Sequence, residues 1–153
     1  MTTPPMPASS PCLPGTDDPQ IDPAWSGLGP GSAISAGNTI IYCADFPAMV
    51  SFYRDLLGLR PTFTKDDWFI ELKVCEGCHL SLAAAAHCTI PAALGQGLTL
   101  SWRVTDLAGW RNRLLAHGAT PTPITNHSWR APYFYVRDPE GNRIEFWSEA
   151  SAA

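Results

Sequence analysis

The 153-residue chain is poor in charge. Only 16% of its residues are Asp, Glu, Lys or Arg, and ten basic residues against 14 acidic ones leave a net charge of −4. No basic field is present to hold a polyanion, so nucleic acid is not an expected partner. No apolar run approaches the ~20 residues that span a bilayer, so no membrane partner is expected. No Lys or Arg occurs before Arg54 and no apolar h-region opens the chain, which argues against a signal peptide. Cysteine is scarce as well. Five, unevenly spaced and odd in number, make no disulfide framework and fit reduced thiols. A cytoplasmic protein is the simplest expectation. What the chain does have is apolar content, 45%, enough for the core of one domain or one pair of small repeats.

Residues 1–36 hold eight of the 15 prolines, with Gly, Ser and Asp between them and no periodicity of either kind. Such a segment buries too little apolar surface to offset its ordering entropy and reads as a flexible tail. Ile21 and Trp25 stand out as side chains able to dock. A folded domain is expected over 37–150.

That domain contains an internal repeat, about 38–86 and 97–149. Thr39–Ala44 is a strand-like run ending at Asp45, and Thr99–Thr105 is another ending at Asp106; each Asp can cap a following helix. Phe46, Met49, Val50, Tyr53, Leu56 and Leu57 recur at helical spacing, as do Leu107, Trp110 and Leu114. Gly58 and Gly118 then stand where a helix ends in a left-handed residue, and Gly-x-x-Pro-Thr appears at both places, 60 residues apart. Three further strands follow in each half, about 61–65, 67–74 and 78–85, then 120–126, 131–137 and 142–148. The expectation is an α+β fold: two βαβββ modules forming a cupped mixed sheet, with the helices on its outer face.

The chain's ending carries the most specific signal. Tyr133-Phe134-Tyr135-Val136-Arg137 and Arg143-Ile144-Glu145-Phe146-Trp147 flank Asp138-Pro139-Glu140-Gly141-Asn142, a turn sequence that pairs the two runs as a hairpin. Glu145 lies between large apolar neighbours, where a carboxylate is costly unless it has a partner or a use. This ending resembles the Asp-Pro-x-Gly-Asn-x-x-Glu motif of the glyoxalase I, bleomycin-resistance and extradiol-dioxygenase superfamily, the vicinal oxygen chelate proteins. Phe52-Tyr53-Arg54-Asp55-Leu56-Leu57-Gly58 resembles the first helix of that family, and the likeness covers about residues 38–148.

Strand alternation assigns the faces. Leu98, Leu100, Trp102 and Val104 should pack under the helices. Asn38, Ile40, Tyr42, His79, Ser81, Ala83, Thr99, Ser101, Arg103, Tyr133, Tyr135, Glu145 and Trp147 should line the cup. The resemblance implies metal ligands at four cup positions in metal-dependent members, which here are Asn38, Ser81, Thr99 and Glu145. Only Glu145 suits a transition metal, so no cofactor is expected. The alternative is a divalent metal near Glu145, with His79 in place of Ser81 after a register shift. Arg103 is expected to couple to Glu145 across the cup.

Cys75-Glu76-Gly77-Cys78-His79 spells a haem-attachment pattern, and with His87 and Cys88 it could be drawn as a zinc site. A tight turn at Glu76-Gly77 flanked by oxidisable thiols is the simpler reading. The functional expectation is a homodimeric, metal-independent binder of a small, partly aromatic ligand. Tyr42, His79, Arg103, Tyr133, Tyr135 and Trp147 would contact it, and Glu145 would be the candidate catalytic group. The alternative is an enzyme of the same superfamily: a lyase, epimerase or dioxygenase using a metal, or Glu145 as a base.

Overall fold

A computed structural model describes residues 34–127 and 131–149. The first module runs β1 (Gly37–Cys43), α1 (Phe46–Val50), a π-helical turn (Ser51–Leu56), then β2 (Arg60–Lys65), β3 (Phe69–Cys75) and β4 (Cys78–Ala84). The second runs β5 (Thr99–Arg103), α2 (Leu107–Ala116), β6 (Thr125–Asn126), β7 (Pro132–Arg137) and β8 (Arg143–Trp147). Each builds one four-stranded sheet of the same plan, β1-β4-β3-β2 and β5-β8-β7-β6. In both, the first strand lies parallel to the last and the remaining pairs are antiparallel. Two βαβββ modules are therefore present. The expected tail, with Ile21 and Trp25, lies outside the described residues except for 34–36.

The local chemistry explains the helix limits. Asp45 and Asp106 accept hydrogen bonds from the backbone N–H of Ala48 and Gly109 at 3.1 and 2.8 Å, each satisfying an orphan donor of the first turn. Gly58 and Gly118 close the helices at φ +74° and +81°, a conformation costly for any residue with a Cβ. The first helix departs from the expected α geometry. Leu57 N–H bonds the carbonyl five residues back, at Phe52, and within this widened turn the consecutive Phe52 and Tyr53 are both buried. β6 is also shorter than expected. Pro121 and Pro123 have no N–H to give, so the contact with β7 before Thr125 reduces to Thr122, which bonds Tyr135 through its N–H and its hydroxyl.

The outer face of both sheets carries the core. Ile41, Leu72, Leu80 and Leu82 from the first module meet Leu100, Phe134, Ile144 and Phe146 from the second in one buried cluster with the helices. Each such side chain contributes about 1.5–3 kcal/mol on burial. Phe146 stacks on Phe134 at 5.2 Å and on Trp110 at 5.2 Å, so truncating it to Ala would remove a large buried ring contact from this half. Trp102 is half-buried against the core while Arg103 is exposed, which places the β5 faces as the alternation required.

The Asp-Pro-Glu-Gly-Asn turn fastens one module to the other. Asp138 is buried and accepts the backbone N–H of Glu140 and of Asn142, the Asn142 side-chain amide, and the Tyr53 hydroxyl from the first helix at 2.8 Å. Glu140 accepts the Asp45 N–H at 2.6 Å beside it. Four donors on one carboxylate explain why it is buried at all. Burial, then the Asp138 charge, holds the Tyr53 phenol well above its usual range.

Candidate functional site

Three strands of the second sheet set out a row of side chains on the face away from the core. Glu145 of β8 is opposite Tyr135 of β7 and beside Ser101 of β5. The Ser101 hydroxyl donates to Glu145 Oε1 at 2.7 Å. The Tyr135 phenol faces the same carboxylate, and burial, then Glu145, holds it above its usual range. The other carboxylate oxygen, Oε2, lies 3.3 Å from His127 Nε2. The His127 ring stacks on Tyr133 with centroids 3.6 Å apart, and Tyr133 meets Tyr135 edge to face at 5.0 Å. Only 15% of the His127 side chain and 17% of Glu145 is exposed. A carboxylate held by a hydroxyl and an imidazole, beside aromatic rings, can accept a proton or a hydrogen bond from a bound molecule.

Glu145, Tyr133 and Tyr135 thus come together as the sequence implied, with half-buried Trp147 directly across the ladder from Tyr133. Tyr42 and His79 lie on the first sheet, half-buried, in register with Ala83 and Asn38. Arg103 does not couple to Glu145. It pairs with Glu149 beyond the end of β8, and both side chains are mostly exposed. Arg103 lies one pleat along the strand from Ser101, and Glu149 supplies a carboxylate in open solvent, so no buried pair forms.

His127 was the residue sequence reasoning missed. It follows β6 in a segment read only as loop. Its N–H bonds the Ala131 carbonyl, continuing the hairpin one pair beyond Asn126 and Pro132. Counting by twos from Thr125 would have put it on the cup face with Tyr133.

The four positions where the resemblance implied metal ligands are otherwise occupied. The Asn38 amide donates to Ser81 Oγ at 2.9 Å and to Glu71 at 3.3 Å, Ser81 is fully buried, and Thr99 Oγ1 accepts Arg143 Nε at 2.9 Å. Amide and hydroxyl oxygens engaged in this way do not suit a transition metal, and among the described residues no three His, Cys, Asp or Glu side chains converge. His87, a member of the zinc set drawn from the sequence, stacks on Trp68 at 5.6 Å. Cys75 and Cys78 are paired across the Glu76-Gly77 turn.

The model of the Glyoxalase/Bleomycin resistance protein/Dioxygenase superfamily matches residues 35–146. The chain belongs to that superfamily. Among solved structures of this glyoxalase superfamily's fold, a lactoylglutathione lyase from Agrobacterium tumefaciens is 26% identical with TM-score 0.64, covering 78% of this chain and 95% of that one. A glyoxalase/bleomycin resistance protein/dioxygenase from Nocardioides is 20% identical with TM-score 0.63, covering 76% and 83%. A glyoxalase-related enzyme from Fulvimarina pelagi is 20% identical with TM-score 0.62, covering 74% and 87%. No curated protein sequence matches the chain. Among the described residues no helix is long and apolar enough to cross a membrane.

Proposed function

We propose that this superfamily member binds a small, partly aromatic molecule on the second sheet, at Glu145, without a metal. The observation that carries the reading is the Glu145 carboxylate, mostly buried yet hydrogen-bonded on both oxygens, between the Tyr133–His127 stack and Tyr135. Flat rings give a ligand's aromatic part a surface to pack on, and the carboxylate selects a ligand that presents an N–H or O–H. Metal independence rests on the donor chemistry at Asn38, Ser81 and Thr99. A thermal-shift screen of aromatic amines and phenols on the metal-free protein, followed by calorimetry, tests it. Saturable binding that survives chelation and fails in Glu145→Gln is expected. Binding only after a divalent ion is added would overturn it.

The His127–Glu145 contact favours one rival, in which Glu145 is a base. In that reading Glu145 takes a proton from an acidic C–H of the ligand, and the adjacent Ser101 and Tyr135 hydroxyls bond the charge that develops. Deuterium exchange into the identified ligand, seen with wild type and lost in Glu145→Gln, would select it. Assembly as a homodimer belongs to the same proposal. Ile40 and Phe63, on the corresponding face of the first sheet, are 44% and 55% exposed, the kind of surface a second copy covers. Light scattering at micromolar concentration should give twice the chain mass.

A further inference from the structure

The hairpin of the first module ends in a dithiol. β3 and β4 turn over Glu76 and Gly77, with Gly77 at φ +68°, and Cys75 and Cys78 are direct cross-strand partners. Partners in an antiparallel ladder have Cα atoms about 4.5–5.5 Å apart, inside the span a disulfide bridges. Cys75 is exposed and Cys78 half-buried, and both line a cavity of about 400 Å³ whose walls include Trp102, Trp110, Leu59 and Arg103. Of the other described cysteines, Cys43 is buried, its thiol pushed up to about 12 by burial first and then by nearby carboxylates, and so is inert. Cys88 follows the opposite end of β4, a seven-residue strand away from Cys78.

We infer that Cys75 and Cys78 form a reversible thiol–disulfide site on this cavity, oxidised by exchange with a low-molecular-weight disulfide. The Cys75 thiolate, its proton released to water, attacks one sulfur of the small disulfide; that S–S bond breaks and one small thiolate leaves and is protonated. Cys78 then gives up its proton and attacks the Cys75 sulfur of the mixed disulfide, and the second small thiol leaves. The protein loses two hydrogens and two electrons, and one disulfide becomes two thiols. Burial and the neighbouring Cys75 hold the Cys78 thiol above its ordinary range, so exposed Cys75 makes the first attack and Cys78 resolves it. The cavity also borders Ser101, which holds Glu145, but the thiol exchange uses neither residue and does not depend on the ligand proposed there.

Titration of the full chain with oxidised glutathione, alkylation of the remaining thiols and peptide mass analysis test this, with Cys88→Ser as background. The expected result is one intrachain bridge between Cys75 and Cys78, a loss of two hydrogen masses, reversed by dithiothreitol. Cys78→Ser should stop at a glutathione adduct on Cys75. A stable adduct on Cys75 in the chain that keeps Cys78 would overturn the inference. So would a bridge to another chain, or two thiols left free where a cysteine peptide is fully oxidised.

Discussion

The two modules follow the same backbone route and use it differently. At the middle of the cup face, Ile40, Ser81 and Glu71 lie across β1, β4 and β3 of the first sheet, and Ser101, Glu145 and Tyr135 occupy the matching places in the second. The carboxylate has moved by one strand: Glu71 accepts from Asn38 and Thr62 beside Phe63, whereas Glu145 meets Ser101 and His127 beside the tyrosines. The hairpin turns differ just as much. Asp138 of the second is a buried acceptor tied to Tyr53, whereas Cys75 of the first is exposed and looks onto a cavity. Arg113, 60 residues after Tyr53, lies against Gly58 and over Trp110. A repeated sequence therefore fixes strands, caps and turns twice, while a few unmatched side chains decide which half holds the joint and which leaves room.

The largest effect should come from breaking the joint. Asp138→Ala strands the Tyr53 hydroxyl and the Asn142 amide in a buried place and should cost about 3–4 kcal/mol in urea unfolding, about the sum of two unsatisfied groups. Cys75→Ala at the matching turn should cost less than about 1 kcal/mol. Equal costs would mean that the two turns are interchangeable. Next comes the carboxylate. Glu145→Gln should weaken binding of any ligand found by about tenfold or more, the value of a charged hydrogen bond, and Glu71→Gln should stay within about twofold. Calorimetry on both variants decides whether the second sheet alone recognises the ligand.

Alkaline pH sharpens the same contrast. The folded Tyr53 phenol keeps its proton at pH values where the unfolded chain releases it, near its ordinary value of about 10. Its contribution is fully present below that pH and is lost as pH rises further, by up to ~1.4 kcal/mol per pH unit. Tyr53→Phe should flatten the alkaline limb of the stability profile. An unchanged limb would show that the Tyr53–Asp138 bond does not control it.

Much of the fold was legible because its signals are local. An Asp before each helix, a Gly after it, and a turn that needs Gly141 at φ +87° each act through their nearest neighbours. Strand parity then placed Glu145, Tyr133 and Tyr135 on one face. What escaped depended on reach and on competition. Parity gives a direction but not a partner, and Arg103 had two carboxylates within range, of which the solvated Glu149 costs less to meet. His127 was hidden in a loop because the hairpin outlasts the strand pattern that announced it. The shortness of β6 was written in Pro121 and Pro123, whose missing donors count for more than the β-propensity of their threonine neighbours.

The smallest effect tests the rim. Tyr42 and Arg103 hold matching places at the ends of β1 and β5, opposite Ala83 and Trp147. Tyr42 is half-buried on its sheet, so Tyr42→Ala should cost about 1–2 kcal/mol through lost apolar contact. Arg103 pairs with Glu149 where 62% and 73% of the two side chains remain exposed. Solvent there screens the attraction, and two long side chains lose freedom to meet. Arg103→Ala should therefore cost no more than about 0.5 kcal/mol, a difference that disappears at high salt. Denaturant titrations of both variants at low and high ionic strength measure this. A salt-insensitive loss above about 1 kcal/mol for Arg103→Ala would show that the guanidinium is held in a drier place than the Glu149 pairing allows, and would return Arg103 to the recognition surface around Glu145.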